Sequence, residues 1–310
     1  MKRGPALGLA HSIQVRLKAK AEAEGRPFAE VLDLYGIERL LHRLGRSEHR
    51  DRFILKGALL IRHWLGSDTR PTRDIDLMGP SPLDAQRVRQ VLGDVLKTGV
   101  EDDGLEFDLA SLRVEPIREA SLVPGYRAKF DGFLGQMVIH CQADIVPTAP
   151  FYPGDTSVQM TGILGMPVAD IRAYTPYSVV AEKLEAMVAL GEANSRMKDY
   201  FDCAALATNL RFDGETLVEA MRVCFRERST ALPEATPLGL SDEFSEGDAG
   251  RTMWVAFARK ARLPEAYSRF SGVVEIIRGF ILPPLQAGRT KAGFPQTWPP
   301  GGPWRDQGRR

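Results

Sequence analysis

The chain has 310 residues, of which 44% are hydrophobic and 26% charged, and its net charge is +1. These values fit a globular protein of one large or two modest domains. They exclude a strongly basic nucleic-acid binder but leave a local basic surface open. Cys141, Cys203 and Cys224 are too few and too widely spaced for a disulfide framework or a zinc cluster. No apolar run reaches the roughly 20 residues that span a bilayer, so we expect no membrane segment and a cytoplasmic location.

The N-terminal half predicts helices followed by a mixed sheet. Helical periodicity covers residues 12–25 and 28–44, and an amphipathic helix covers residues 83–96. Three further segments predict strands, at residues 105–114, 126–130 and 136–146. We therefore expect an α+β fold in which a mixed sheet is flanked by helices.

The stretch from Phe53 to Leu77 carries the strongest chemical signal. Lys56 and Gly57 stand where a short apolar run gives way to a helical pattern that begins at Ala58. Glycine permits close approach of the backbone, and the free N–H groups of a helix start can receive a phosphate. This turn is therefore a candidate phosphate-binding site, formed by Lys56, Gly57 and Ala58.

Asp74 and Asp76 follow this turn at the spacing of a strand. Residues i and i+2 of a strand point to the same face, so the two carboxylates lie side by side while Ile75 faces a core. Mg²⁺, or Mn²⁺ in its place, suits such a pair because it binds carboxylates together with substrate phosphates. Arg73 precedes the pair and is a candidate phosphate ligand. The alternative is a solvated strand end, because Asp-x-Asp pairs also arise by chance. Phosphoryl or nucleotidyl transfer is the first hypothesis.

The strand that ends near residue 146 carries a second polar stripe. By alternation Asp144 shares a face with His140 and Gln142, and such a stripe would be wasteful in a core. The alternative is that Asp144 only caps the strand before Pro147.

A Pro- and Gly-rich loop at residues 147–167 separates this region from a mainly helical part. The boundary is predicted near Tyr174, which gives a first lobe of residues 1–173 and a helical lobe of residues 174–285. Helices are predicted at residues 178–190, 217–226, 251–262 and 271–282. A Pro- and Gly-rich tail begins at Pro283, and residues 286–310 are expected to be disordered or to lie along the protein surface without periodic structure. Arginines and aromatic rings alternate in the helical lobe, which indicates either an RNA surface or, for the rings, core positions.

Four motifs resemble the AbiE-type nucleotidyltransferase toxins of bacterial abortive-infection and toxin–antitoxin systems, within the polymerase-beta-like nucleotidyltransferase superfamily. They occur in the expected order over most of the chain, and the region of residues 225–240 also resembles the C-terminal half of this family. The motifs are Lys56-Gly57 before a helix, Arg73-Asp74-Ile75-Asp76 on a strand, Glu182-Lys183-Leu184 in a helix, and the segment of residues 196–202.

The resemblance implies a metal-dependent enzyme that transfers a nucleoside monophosphate from a nucleoside triphosphate to an acceptor, with the 3′ end of tRNA as the expected acceptor. It also implies a cognate antitoxin encoded nearby. Lys183 is expected to contact the phosphates of the nucleotide. Asp199 is expected to orient Lys183 or the nucleotide, with Asp202 as the alternative. Asp144 is the candidate for the third carboxylate of the superfamily, as a metal ligand beside Asp74 and Asp76.

One departure from the superfamily pattern leaves alternatives open. Relatives commonly have Gly-Ser or Gly-Gly at the phosphate turn, whereas this chain has Gly57-Ala58 and so lacks a hydroxyl there. A nucleotidyltransferase or kinase that modifies a protein hydroxyl is one alternative. A module that binds nucleotide or RNA without catalysis is the other.

Overall fold

The computed structural model describes residues 5–66, 69–117 and 125–307, which fall into two units. The N-terminal unit consists of Met1–His63, Pro71–Thr148 and Thr156–Ala173. The C-terminal unit consists of Trp64–Arg70, Ala149–Asp155 and Tyr174–Arg310.

The N-terminal unit combines four helices with a sheet of seven strands in the described part of the chain. The helices are α1 (Pro5–Ala23), α2 (Phe28–Arg46), α3 (Ala58–Leu65) and α4 (Ala85–Lys97). The strands are β1 (Ile54–Lys56), β2 (Asp74–Gly79), β3 (Leu105–Pro116), β4 (Tyr126–Leu134), β5 (Met137–Pro147), β6 (Thr156–Val158) and β7 (Ile171–Ala173).

The sheet has the order β3-β4-β5-β2-β1-β7-β6 and is mixed, as the sequence predicts. The pairs β2–β5 and β1–β7 are parallel, and the other neighbours are antiparallel. In β5 the residues Ile139, Cys141, Ala143 and Ile145 are buried, and the residues between them are more exposed. This alternation gives the central strands one apolar face and one polar face. The polar face carries the candidate site.

The C-terminal unit is mainly helical, with a small sheet of order β10-β9-β8. Its helices are α5 (Pro176–Leu190), α6 (Met197–Asn209), α7 (Gly214–Glu227), α8 (Asp242–Glu246), α9 (Asp248–Ala261) and α10 (Phe270–Thr290). Its strands are β8 (Phe212–Asp213), β9 (Gln296–Trp298) and β10 (Arg305–Asp306). Phe225 and Trp254 are buried, so these two aromatic rings belong to the core of the unit.

The structure differs from the sequence prediction at the end of the chain. Helix α10 continues through Pro283 and Pro284 to Thr290, and the segment after it is ordered as far as residue 307. Pro284 has no N–H to donate to the carbonyl of Phe280, four residues earlier. The indole N–H of Trp304 donates to that carbonyl instead, at 2.9 Å.

Aromatic contacts hold the tail in place as far as residue 307, and residues 308–310 lie outside the described residues. The rings of Trp298 and Trp304 both pack against Phe280, and Trp298 is 5% exposed. The indole N–H of Trp298 also donates to the carbonyl of Ala207 at 2.7 Å. Two buried or half-buried indoles supply enough apolar contact to hold a segment that has no helical periodicity.

Among the residues that the structure describes, no helix has both the length and the apolar character that crossing a membrane requires.

Candidate active site

Four neighbouring strands of the N-terminal unit place four charged residues in one row. Lys56 on β1 lies opposite Asp76 on β2, Asp76 lies beside Asp144 on β5, and Asp144 lies opposite Arg127 on β4. Residues paired in this way across strands share a face and approach to about 5 Å between their Cβ atoms. The row therefore has the charge order plus, minus, minus, plus. Asp74 lies two residues along β2 from Asp76, on the same face.

The carboxylates of Asp74, Asp76 and Asp144 converge. Each of the three offers an oxygen atom, and these oxygens all lie within 4.8 Å of one another. All three residues are only partly exposed, so their mutual repulsion is screened less than it would be on an open surface. Three hard oxygen ligands at this spacing fit a Mg²⁺ or Mn²⁺ ion, which binds carboxylates and keeps positions for water and phosphate.

The glycine turn lies directly against this cluster. Gly57 has φ +79°, a conformation that favours glycine, and an added Cβ would overlap the carboxylate of Asp76. Helix α3 begins at the next residue, Ala58, and the first N–H groups of a helix lack partners within it. Ala58 is 7% exposed, so the residue after the glycine supplies a buried methyl group and no hydroxyl. The turn thus brings backbone N–H groups close to the acidic cluster.

Arg127 contacts the third carboxylate through two hydrogen bonds. Its Nε donates to Oδ1 of Asp144 at 2.8 Å, and its Nη2 donates to Oδ2 at 2.7 Å. Gln142 also donates to Oδ1 of Asp144, at 3.3 Å. The sequence prediction did not single out Arg127. The signal that could have found it is its place in the predicted strand at residues 126–130, but its partner depends on strand register.

Arg73, the candidate phosphate ligand, pairs with an acidic residue of α2. Its Nε lies 3.3 Å from Oδ2 of Asp33, and 72% of its side chain is exposed. Such an exposed ion pair contributes little to stability, so it costs little to break. The phosphate role of Arg73 stays a prediction.

A second charged cluster lies in the C-terminal unit. Lys183 on α5 is buried, and its Nζ lies 2.7 Å from Asp199 and 2.7 Å from Asp202, both on α6. Asp199 and Asp202 are three residues apart and share a helix face, which explains why one lysine contacts both. The sequence prediction preferred Asp199, with Asp202 as the alternative, and the geometry gives Lys183 both as partners.

Two arginines extend this cluster. Arg70 donates from Nε and Nη2 to the two oxygens of Asp202, each at 2.9 Å. Arg196 donates from Nε to Oδ2 of Asp199 at 2.7 Å, and its side chain is 44% exposed. The five side chains alternate in sign from Arg70 to Arg196 and carry a net charge of +1. Sequence reasoning missed both arginine roles. Arg70 lies 132 residues from Asp202, so no local pattern joins them, whereas Arg196 lies three residues before Asp199, a spacing that could have indicated the pair.

The protonation states of this cluster are well defined. Burial opposes ionisation of Asp199, but the charges of Lys183 and Arg196 outweigh it and hold the pKa of Asp199 at about 2. Burial also opposes the charge on Lys183, yet the two aspartates raise its pKa above the usual range. Lys183 is therefore a permanent cation and cannot act as a proton acceptor near neutral pH.

Glu48, His49 and Asp94 form another group with possible metal ligands, whose ligand atoms lie within 4.8 Å of one another. Nδ1 of His49 is buried and has no hydrogen-bond partner among the described residues. A metal-bound histidine usually donates its other ring N–H to a carboxylate, carbonyl or water. This group therefore fits a metal less well than Asp74, Asp76 and Asp144.

Comparison with known proteins adds a family and two structures of low similarity. The model of a family described as nucleotidyl transferase AbiEii toxin, type IV toxin–antitoxin system, matches residues 39–275, more than half of the chain. The curated proteins give no match. The crystal structure of JHP933 from Helicobacter pylori is 13% identical, with a TM-score of 0.45, and the match covers 82% of this chain and 89% of that chain. A candidate nucleotidyltransferase from H. pylori is 12% identical, with a TM-score of 0.44, and the match covers 82% of this chain and 92% of that chain.

Proposed function

The chain belongs to the AbiEii family of nucleotidyl transferase toxins of type IV toxin–antitoxin systems, and we propose that it transfers a nucleoside monophosphate to the 3′ end of tRNA. Its enzyme class is that of a nucleotidyltransferase, and its family implies a cognate antitoxin and a nucleotide substrate. The tRNA acceptor and the dependence on a divalent metal are the proposed parts. Both substrates are cytoplasmic molecules, so the proposed reaction belongs in the cytoplasm.

The observation that carries the proposal is the convergence of Asp74, Asp76 and Asp144 beside the Gly57 turn. Asp74 and Asp76 would hold a divalent cation, with Asp144 next to them. When bound, Mg²⁺ or Mn²⁺ supplies charge neutralisation of the triphosphate and polarises its phosphoryl oxygens. The three carboxylates fit this role because they are hard oxygen donors on adjacent strands.

The remaining groups of the reaction are residues and backbone atoms of this chain. We assign the phosphate contacts of the nucleotide to Lys56 and to the N–H groups that follow Gly57. The acceptor hydroxyl attacks the α-phosphorus in line, a new O–P bond forms, the bond to pyrophosphate breaks, and the hydroxyl proton leaves to solvent. Lys183, held as a permanent cation by Asp199 and Asp202, is assigned to the negative charge of the phosphates.

The tRNA acceptor rests on the family resemblance, and one feature of the C-terminal unit supports an RNA partner. Helix α9 buries only Gly250 and Trp254, and its exposed surface includes Arg251, Arg259 and Lys260. Cations on an exposed helix can neutralise the phosphates of an RNA backbone. Nucleotides added to the 3′ end of tRNA would block aminoacylation, which accounts for a toxic effect on growth.

A second candidate function is binding of nucleotide or RNA without catalysis. The buried methyl group of Ala58 favours it, because the resemblance implies Gly-Ser or Gly-Gly at the phosphate turn and this chain has no hydroxyl there. A kinase that modifies a protein hydroxyl is a further alternative. The position of a radioactive label separates these alternatives, since α-label is transferred only in nucleotidyl transfer.

The test is to incubate the purified protein with Mg²⁺, total tRNA and each nucleoside triphosphate in turn, labelled at the α-phosphate or, in parallel reactions, at the γ-phosphate. Binding of tRNA is measured separately by electrophoretic mobility shift. Asp74→Asn is the active-site variant, and Asp51→Asn, which changes a carboxylate that is 78% exposed, is the matched control. Label on tRNA with the wild type and Asp51→Asn, but not with Asp74→Asn, is the expected result. Label on protein, or transfer of γ-label instead, would replace the tRNA proposal. No transfer of either label with retained RNA binding would favour the non-catalytic module.

A further inference from the structure

The charged row across the sheet ends in Arg127, to which the proposed reaction assigns no role. One planar guanidinium donates to both carboxylate oxygens of Asp144, at 2.8 and 2.7 Å. Paired, charge-assisted hydrogen bonds of this kind are among the strongest contacts that two side chains make. The carboxylate of Asp144 is therefore already paired with the cationic side chain of Arg127.

The surroundings of this ion pair strengthen it. The side chains of Arg127 and Asp144 are 29% and 14% exposed, so water screens the pair less than it screens a surface salt bridge. The amide of Gln142 makes a third hydrogen bond to the carboxylate, at 3.3 Å. An ionised carboxylate has about four acceptor positions, so three donors leave little of its capacity for another ligand. A metal ion at Asp144 would have to compete with Arg127.

Two carboxylates of the cluster thus differ in their partners. Asp74 accepts a hydrogen bond from the neutral hydroxyl of Thr72 at 3.1 Å, whereas Asp144 is bound by a full positive charge. We propose that Arg127 withholds Asp144 from the metal in the nucleotide-free protein, so that Asp74 and Asp76 hold the first divalent cation without it. This inference rests on the metal site of the proposed function.

The same geometry gives Arg127 a part in nucleotide binding. A guanidinium matches phosphate oxygens as well as it matches a carboxylate, so an incoming triphosphate offers Arg127 a second partner. Once Arg127 moves to a phosphate, Asp144 becomes available as a metal ligand. Arg127 is then a positioning residue that links arrival of the nucleotide to completion of the acidic cluster.

The test measures Mn²⁺ binding to the full-length protein without nucleotide, by electron paramagnetic resonance of the free ion. Wild type is compared with Arg127→Gln and with the double variant Arg127→Gln/Asp144→Asn. Arg127→Gln is expected to bind Mn²⁺ about tenfold more tightly, which corresponds to about 1.4 kcal/mol. The double variant is expected to return to within about threefold of wild type, because wild type does not use Asp144 for the first ion.

Two controls separate competition for Asp144 from a general change of charge. Lys129 lies two residues along β4 from Arg127 and pairs with Glu115 at 2.7 Å. Lys129→Gln removes an equal charge without freeing Asp144 and is expected to change the affinity by less than about threefold. Arg127→Lys keeps the charge but loses the paired donors, so its affinity for Mn²⁺ is expected to rise less than that of Arg127→Gln. Thermal unfolding of each variant checks that it is folded.

Three results would overturn the role of Arg127. The first is a double variant that binds Mn²⁺ about tenfold more weakly than wild type. The second is an Arg127→Gln variant that binds Mn²⁺ more weakly than wild type. The third is a Lys129→Gln variant whose affinity for Mn²⁺ rises as much as that of Arg127→Gln. In the first two cases Asp144 is already a ligand in the resting protein, and in the third the effect is only one of charge. Asp74→Asn tests the proposed function separately. If this variant binds Mn²⁺ as tightly as wild type, Asp74 is not a metal ligand, and both the proposed metal site and the role of Arg127 are wrong.

Discussion

Gly57 leaves open the space that the carboxylate of Asp76 occupies: a Cβ at residue 57 would overlap Oδ2 of Asp76 and lie 2.8 Å from its Cγ. The phosphate turn and the metal-binding strand are therefore fitted to each other at a single glycine. Any side chain at this position must displace the carboxylate of Asp76 or the turn itself.

Gly57→Ala tests this fit. We expect the variant to lose nucleotidyl transfer by roughly 100-fold, since a displacement of about 1 Å at a catalytic group has that effect. The control is Gly66→Ala, because Gly66 has nearly the same φ, +78°, but no atom of the described residues lies within 4 Å of an added Cβ. Both variants carry backbone strain of roughly 1–2 kcal/mol. Equal activities in the two variants would show that strain alone, and not the contact with Asp76, explains the loss.

The aspartates that hold Lys183 should differ in their effect on stability. Asp202 contacts Arg70 and Lys183, whose side chains are only 12% and 11% exposed. Asp199 shares Lys183 but has the 44% exposed Arg196 as its other partner, which water can solvate. We expect Asp202→Asn to destabilise the protein by about 3–5 kcal/mol and Asp199→Asn by less. Denaturant unfolding of both variants measures the order, and the reverse order would contradict this account of the cluster.

Asp199 also predicts how the protein responds to acid. Its folded pKa of about 2 lies below its ordinary value of 3.8, so its ionised form stabilises the fold. This contribution is present above pH 3.8 and is lost as the pH falls towards 2. Asp199→Asn should therefore show a shallower decline in the free energy of unfolding over this window. A decline as steep as in wild type would indicate that other carboxylates cause it.

Glu38 predicts a pH dependence of the opposite sign. Burial raises the pKa of Glu38 to about 7, although the N–H of Ile163, which donates to its Oε2 at 2.7 Å, partly offsets the shift. The folded state then holds a proton that the unfolded state releases above about pH 4.5, so stability falls as the pH rises from about 4.5 to 7. The loss is on the order of 3 kcal/mol.

Glu38→Gln keeps an oxygen acceptor for Ile163 and removes the charge. Unfolding in denaturant at several pH values should show that this decline is reduced in the variant. The variant should also be more stable than wild type at pH 8, where wild-type Glu38 is ionised. A decline of unchanged steepness would mean that Glu38 titrates near its ordinary value.

Trp304 gives a prediction for the end of the chain. Its indole N–H donates a hydrogen bond to the carbonyl of Phe280, to which Pro284 cannot donate because it has no N–H. Trp304→Phe keeps an aromatic ring but loses this donor, and we expect a destabilisation of about 1 kcal/mol. Trp304→Ala loses the ring contacts as well and should cost clearly more. Thermal unfolding compares the two. Equal effects would show that the ring contacts contribute little, and an unchanged stability of Trp304→Phe would show that the hydrogen bond contributes little.

Local pattern was sufficient to predict most of the helices and the long strands, together with the side-by-side placement of Asp74 and Asp76. Alternation is a property of a few consecutive residues, and it put Asp144 on the polar face of its strand. The strands β1, β6 and β7 have three residues each, which is too short for a periodic signal. That Asp74, Asp76 and Asp144 bind a metal stays a prediction.

The parts that the sequence could not provide depend on contacts between distant residues. The pairing of Arg127 with Asp144 follows from the register of β4 against β5, and no local pattern fixes that register. The pairing of Arg70 with Asp202 joins residues 132 positions apart. The continuation of α10 through two prolines required a donor from Trp304, so the usual rule that proline ends a helix gave the wrong boundary.

The row formed by Lys56, Asp76, Asp144 and Arg127 restricts how this protein can diverge in evolution. Its two positive and two negative charges balance, so the loss of one member leaves an unmatched charge beside the nucleotide site. Relatives that lack an arginine at the position of Arg127 are expected to lack the carboxylate at the position of Asp144 as well. We therefore expect these four positions to covary as a group when enough homologous sequences are aligned, although they lie on strands far apart in the chain.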